Sequence, residues 1–251
     1  MAIIIKNAQQ LDKMRRASKI VKDAFALLES IIAPGITTRE LDVAAVKFIK
    51  GHGAVPSFKN YRGFPKSICV SVNDEVIHGI PGSRRLQEGD IVSIDIGAYK
   101  DGFHGDAART FGVGKISDEA QFLMDVTKES FFEGMKYATS GHFLFDISGA
   151  IQEYAESKGF SLVREYCGHG VGAQIHEAPE IPNYREKPRK RGSRLGVGMT
   201  LAIEPMVNQG THEVITLSDN WTVATADGKL SAHYENTVLI TGTGEPEIFT
   251  I

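Results

Sequence analysis

Cysteine is nearly absent: Cys69 and Cys167 are the only two in 251 residues. Two thiols make no disulfide framework, so the fold must rest on apolar packing, and they suit a reducing compartment, the cytoplasm. No apolar run is long enough to span a membrane. Ile3, Ile4 and Ile5 form the longest early run, and Lys6 ends it far short of a signal-peptide core. Charge of one sign is lacking too: the net charge of -3 gives no global attraction to nucleic acid or to an anionic membrane. The Gly-rich stretch Gly168 to Gly172 lacks the following Gly-Lys-Ser/Thr of a phosphate loop. What is present is ordinary for a soluble globular chain, 42% hydrophobic and 24% charged, with length for one large domain or two small ones.

Within that plain background Ser93 to Phe111 stands out. Ile91 to Tyr99 is rich in β-branched and apolar residues and reads as a strand buried on both faces. Lys100-Asp101-Gly102 is turn chemistry, and a return strand starts near Phe103. Asp95 lies between Ile94 and Ile96, where an ionised carboxylate is expensive unless it is paired or metal-bound. The hairpin brings Asp106 beside it, and two such acids repel unless a cation sits between them. The competing reading pairs Asp106 with Arg109 and leaves Asp95 as a hydrogen-bonded strand-end acid; on these residues alone the two stand level.

The rest of the chain shows helical and strand periods in turn. Asn7 can cap an amphipathic helix that carries Leu11, Met14, Val21, Phe25 and Leu28 and ends at Pro34-Gly35. Thr37 and Glu40 form a capping-box pattern for a second helix, stopped by Gly51. Asp118 can cap a third helix to about Tyr137, and a fourth runs from Asp146 to Lys158. Strands are expected at 67–72, 161–165, 199–207, 221–226, 231–241 and 247–251.

The two halves resemble each other. Phe25, Gly35, Leu41 and Gly53 match Phe131, Gly141, Ile147 and Gly159 at an offset of 106, and Gly89 to Asp95 matches Gly198 to Glu204 at an offset of 109. Asp95 thus has a counterpart acid, Glu204, in an equivalent buried strand. The expected architecture is a single domain over 1–251, with pseudo-symmetric halves of about 7–114 and 115–251. It is α+β, with antiparallel sheets backed by helices and acids from both halves meeting near a pseudo-twofold axis.

Polar residues set in apolar strands or Gly-rich loops complete the candidate site: Asp95, Asp106, His169, Glu204 and Glu235. Four carboxylates and one imidazole suit two divalent ions rather than one structural zinc. Two such ions lie about 3.5–4 Å apart in known sites, lower the pKa of a shared water and polarise a carbonyl. His78 and His176 lie in loops near this set, although a histidine taken singly is more often structural.

Taken together, 65–73, His78-Gly79-Ile80-Pro81, Asp101 to Asp106, Gly168 to Gly172, Ile203-Glu204-Pro205-Met206 and the stretch from Trp221 to Glu235 resemble type I methionine aminopeptidase, across the whole chain and in order. The resemblance implies the pita-bread fold and a dinuclear metal site. It also implies removal of the initiator methionine from nascent polypeptides, with a small second residue preferred. By motif, Asp95 would chelate one metal, Asp106 and Glu235 would bridge both, and His169 and Glu204 would hold the other. Glu204 would relay a proton toward the leaving amine, His176 would stabilise the oxyanion, and His78 would contact the scissile nitrogen or position the substrate backbone.

For the methionine pocket the family pattern implies Tyr61, Phe64, Cys69, Ile175 and Trp221, joined by Phe58; aromatic walls and a thiol suit a thioether, and plain core is the competing reading. The metals implied are Co, Mn, Fe or Zn, with a monovalent cation near Asn73 and Ser231. The basic run Arg185, Lys187, Arg189, Lys190, Arg191 and Arg194 reads first as a solvated loop and second as a ribosome contact. A monomer without membrane association is expected. Met1-Ala2 predicts that the enzyme processes itself. The rivals are a prolidase or aminopeptidase P relative and a metal-free binding protein on the same fold.

Overall fold

A computed structural model describes residues 2–185 and 190–251. Helix α1 (Ala8–Ile31) starts at a capping box, in which the Asn7 side chain accepts the Gln10 N–H at 3.0 Å and the Gln10 side chain accepts the Asn7 N–H at 2.9 Å. Helix α2 (Thr38–Gly51) repeats the device with Thr37 and Glu40. Helix α3 (Asp118–Met135) is capped by Ser117 rather than Asp118, since the serine hydroxyl accepts the Ala120 N–H. Helix α4 (Leu144–Ser157) starts two residues before the expected Asp146, which accepts the Phe143 N–H at 3.0 Å from the first turn.

The strands are β1 (Val55–Pro56), β2 (Cys69–Val72), β3 (Glu75–Ile77), β4 (Ile91–Lys100), β5 (Phe103–Gly112), β6 (Ser161–Leu162), β7 (Gly168–Gly170) and β8 (Glu177–Ile181). They continue as β9 (Thr200–Ile203), β10 (Met206–Asn208), β11 (Val214–Thr216), β12 (Val223–Thr225), β13 (Ser231–His233), β14 (Asn236–Leu239) and β15 (Glu247–Ile248). All pairs are antiparallel. In one sheet β4 carries β5 along its length and β1 and β2 on its other edge. The second large sheet has the order β15-β14-β9-β7-β8.

Two of the expected long strands are broken, and each break falls at a carboxylate. The run 199–207 divides into β9 and β10 at Glu204-Pro205, where proline can offer no N–H to a ladder. The run 231–241 divides into β13 and β14 at Tyr234-Glu235. Breaking the strands there frees each acid from the alternation of an extended pleat.

One apolar core joins α1 and α2 to the β4 sheet through Val21, Leu28, Leu41, Ile94 and Ile96. A second joins α3 and α4 to the other sheet through Phe131, Ile147, Ile151, Leu201 and Val238. Details recur at the offsets seen in the sequence. Gly35 and Gly141 both take left-handed backbone, with φ of 95° and 99°. Gly35 N–H donates to the Leu86 carbonyl at 2.7 Å, and Gly141 N–H to the Leu195 carbonyl at 3.1 Å. The isolated bridges Thr37 with Arg85 and Phe143 with Arg194 follow the same offsets. Among the described residues no helix is long and apolar enough to cross a membrane.

Candidate metal centre

The hairpin register sets Asp95 opposite Ala108 and Asp106 opposite Gly97. The two acids are therefore not a direct pair but diagonal neighbours, one pleat apart on the same face. The alternative pairing of Asp106 with Arg109 does not form. Arg109 instead donates to the carbonyls of Ala108, Glu235 and Thr250 and to Asn236 Oδ1, and its guanidinium stacks on Tyr234 at 4.3 Å.

The free edge of β5 meets the segment that carries Glu235. Glu235 N–H donates to the Ala108 carbonyl at 2.9 Å, and Ala108 N–H to the Glu235 carbonyl at 3.4 Å. The Thr237 hydroxyl accepts the Asp106 N–H and donates to the Asp106 carbonyl. From the second sheet, His169 stands on β7 between β8 and β9, and Glu204 follows β9. His169 Nδ1 donates to the Gly170 carbonyl at 2.9 Å, which leaves Nε2 to face the acids.

The five predicted residues converge. His169 Nε2 lies 3.6 Å from Glu204 Oε1 and 3.8 Å from Asp106 Oδ2. Asp106, His169 and Glu235 each present one donor atom within 4.8 Å of the others. Asp95 Oδ1, Asp106 Oδ1 and Glu235 Oε1 are buried without any hydrogen-bond partner. Burial first, and the neighbouring carboxylates after it, push Asp106 and Glu235 well above the ordinary carboxylate range. Burial likewise raises Asp95 and Glu204 to about 7. Orphaned oxygens on crowded acids, with an imidazole nitrogen among them, are a donor set that hard or borderline divalent cations satisfy.

One cavity of about 150 Å³ has these acids as its floor and Phe58, Tyr61, Phe64, Cys69 and Trp221 as its walls. Phe64 meets the Trp221 ring edge-on at 5.2 Å. Ile175 packs behind the wall against Phe58, Phe64 and Cys69. Burial and four nearby acids raise the Cys69 thiol, which keeps it a neutral wall group. His78 reaches the cavity from left-handed backbone at φ 60°, a conformation that non-glycine residues adopt at a cost. His176 lies against His169, with ring centroids 4.2 Å apart, and its Nδ1 is 2.9 Å from Tyr61 Oη. Burial lowers His78 to about 4 and His176 to about 3, so both are neutral at pH 7.

Sequence reasoning missed His233. It is buried, with Nε2 3.6 Å from Glu204 Oε2 and no hydrogen-bond partner. The criterion that found Glu235, a polar residue within an apolar run, applies equally to His233 two positions earlier. Of the basic run, Lys187 and Arg189 lie outside the described residues. Arg185 and Arg191 are tied to α4 through Asp146, at 3.3 and 3.5 Å.

A profile of metallopeptidase family M24 matches residues 12–242. The chain belongs to that family. A methionine aminopeptidase of Clostridium perfringens is 57% identical over 249 residues, covering 99% of each chain. A crystal structure of methionine aminopeptidase from Thermotoga maritima superposes with a TM-score of 0.96 at 43% identity, over 99% of each chain. An Xaa-Pro dipeptidase from Bacillus anthracis superposes at 0.78 with 25% identity, over 98% of this chain and 61% of the dipeptidase. The M24 chain has the pita-bread fold of these structures. It is a metallo-aminopeptidase that binds divalent metal, and Asp106, His169 and Glu235 are a cluster whose donor atoms could hold such an ion.

Proposed function

We propose that this chain releases the N-terminal methionine of nascent polypeptides and peptides by hydrolysing the first peptide bond, with a small second residue preferred. The observation that carries this reading is the cavity itself, in which orphaned acids floor a pocket walled by aromatic rings and a thiol. A flexible, polarisable thioether fills such walls well. The full-length relatives named methionine aminopeptidase support it.

Two divalent ions drawn from Co, Mn, Fe or Zn would be held by Asp95 at one position, by Asp106 and Glu235 at both, and by His169 and Glu204 at the other. When bound they supply Lewis acidity, lowering the pKa of a water and polarising the scissile carbonyl. The residues of the chain do the rest. Tyr61, Phe64, Cys69 and Trp221, with Ile175 behind them, seat the methionine side chain. Glu204 accepts a proton from the attacking water and returns it to the leaving amine. Neutral His176 donates a hydrogen bond to the oxygen that gains charge, and neutral His78 holds the scissile amide.

The reading extends to one catalytic domain of two related halves, supported by the paired bridges and glycines. It extends also to a cytoplasmic monomer, to a monovalent cation beside Asn73 and Ser231, and to ribosome contact through 185–194. Ser231 N–H donates to the Asn73 carbonyl at 2.9 Å, so these two residues are neighbours. Ribosome pelleting that keeps its salt dependence after the loop is neutralised would remove the last extension.

The main test is hydrolysis of Met-Ala-Ser, with a chelator and after metal is restored, beside an Xaa-Pro peptide. Metal-dependent release of methionine with little Xaa-Pro cleavage is expected. Absence of metal-dependent release from Met-Ala-Ser overturns the reading.

A further inference from the structure

A second, larger cavity of about 510 Å³ adjoins the first. The two share Arg62, His169 and His176. If methionine fills the aromatic pocket and its peptide bond lies on the acids, the larger cavity offers the downstream chain a way out past these three residues. Among the described residues Arg62 is the only lysine or arginine that lines the first cavity. Its side chain is exposed, and its guanidinium lies 5.4 Å from the Tyr61 ring, whose hydroxyl meets His176. Among the described residues no carboxylate of the chain lies within ion-pair distance of it.

The backbone adds an independent observation. Arg62 has φ 49° and ψ 23°, left-handed for a residue with a Cβ, inside a single 3-10 turn at Tyr61–Gly63. Such a conformation is held only where its surroundings dictate it, and it concentrates at ligand-binding sites. Here it carries the guanidinium to the junction of the two cavities.

The other charges of the larger cavity do not supply Arg62 with a partner. Glu177 is taken by Lys6 at 2.5 Å. Glu180 lines the larger cavity but not the catalytic one.

Resting on the proposed function, we infer that Arg62 is a specificity-determining residue that binds a carboxylate of the substrate downstream of the scissile bond. The planar guanidinium donates two parallel hydrogen bonds to such a group. Two sources offer that chemistry: an acidic side chain at the third residue, and the terminal carboxylate of a short peptide.

The experiment compares kcat/KM within two matched pairs. Met-Ala-Asp-Ala-amide against Met-Ala-Asn-Ala-amide tests the side chain, and Met-Ala-Ser against Met-Ala-Ser-amide tests the chain end. The carboxylate member of at least one pair should be favoured by about two- to fivefold, the range of an exposed ion pair. The preference should reside in KM, shrink in 0.5 M salt at a Debye length of about 4 Å, and fall to unity in Arg62→Gln while Arg62→Lys keeps part of it. A merely structural role for Arg62 would slow both members of a pair alike and leave the ratio intact. Ratios near one for both pairs in the unmodified enzyme, or ratios that survive Arg62→Gln, overturn the inference. Failure of every peptide to release methionine would instead overturn the proposed function.

Discussion

The Thr237 hydroxyl holds the backbone of Asp106 at both polar atoms, accepting its N–H at 3.1 Å and donating to its carbonyl at 2.8 Å. Both residues are buried, and 131 positions separate them. The clamp therefore fixes the height of an acid in the first half against a strand of the second.

Thr237→Val keeps the shape and removes the clamp. An amide and a carbonyl are then left buried and unpaired, at a cost of about 1–3 kcal/mol. Urea denaturation of the chelated protein should show this loss, and titration calorimetry should show weaker divalent-metal binding. Thr237→Ser, which keeps the hydroxyl, should recover most of both. Equal loss in the two variants would mean that packing of the methyl group is what matters.

Removing metal should reverse the usual dependence of stability on pH. Asp95 and Glu204 are raised to about 7, and Asp106 and Glu235 well above the ordinary carboxylate range, so the folded chain keeps protons that the unfolded chain has released. That contribution is fully present below the ordinary carboxylate range and is lost as pH rises through about 7. His78, His104, His176 and His233, lowered to between about 3 and 4, act in the opposite sense, but only below their ordinary value of 6.5. Above about pH 6.5 the acids act alone. Chelated protein should lose thermal stability from pH 6.5 to 8, and divalent metal should flatten the slope. Scanning calorimetry across this range would refute the crowding of the acids if the chelated protein were steady or gained stability.

Asp106→Asn should abolish methionine release and leave the fold intact. It removes one charge from the crowded set, so the chelated variant should lose less stability between pH 6.5 and 8 than the parent. Calorimetry together with metal titration separates this outcome from simple misfolding.

Lys6 and Glu177 form an ion pair at 2.5 Å, with side chains only 2% and 3% exposed. Glu177 also accepts the Gln174 N–H at 3.1 Å, beneath the turn that presents Ile175 and His176. Lys6→Met leaves a buried carboxylate unpaired and should cost about 3–5 kcal/mol, with most of it restored by adding Glu177→Leu. If the double variant is no more stable than Lys6→Met, the loss comes from packing around the lysine stem.

Much of this was legible in the sequence. Periodicity and capping residues located four helices, and polar residues set in apolar strands or Gly-rich loops picked out Asp95, Asp106, His169, Glu204 and Glu235 as candidates. What the sequence hid is tertiary. An apolar run from 231 to 241 does not show that the chain leaves one sheet at Tyr234 and joins another, because that break is set by the Glu235 backbone pairing with Ala108. Arg109 looked like a partner for Asp106 because it is close in sequence. Its donors are instead consumed by carbonyls and an amide brought from far along the chain. His233 escaped notice because its meaning depends on Glu204, across a gap that only folding closes.

The pairing of Glu235 with Ala108 has a consequence for biosynthesis. Chains are made from the N-terminus, so Asp95 and Asp106 exist long before the segment that faces them. Closing so wide a loop is entropically slow and comes late in folding. A truncated or half-made chain thus presents two acids without their counterparts, while a chain that has paired Ala108 with Glu235 presents the whole donor set.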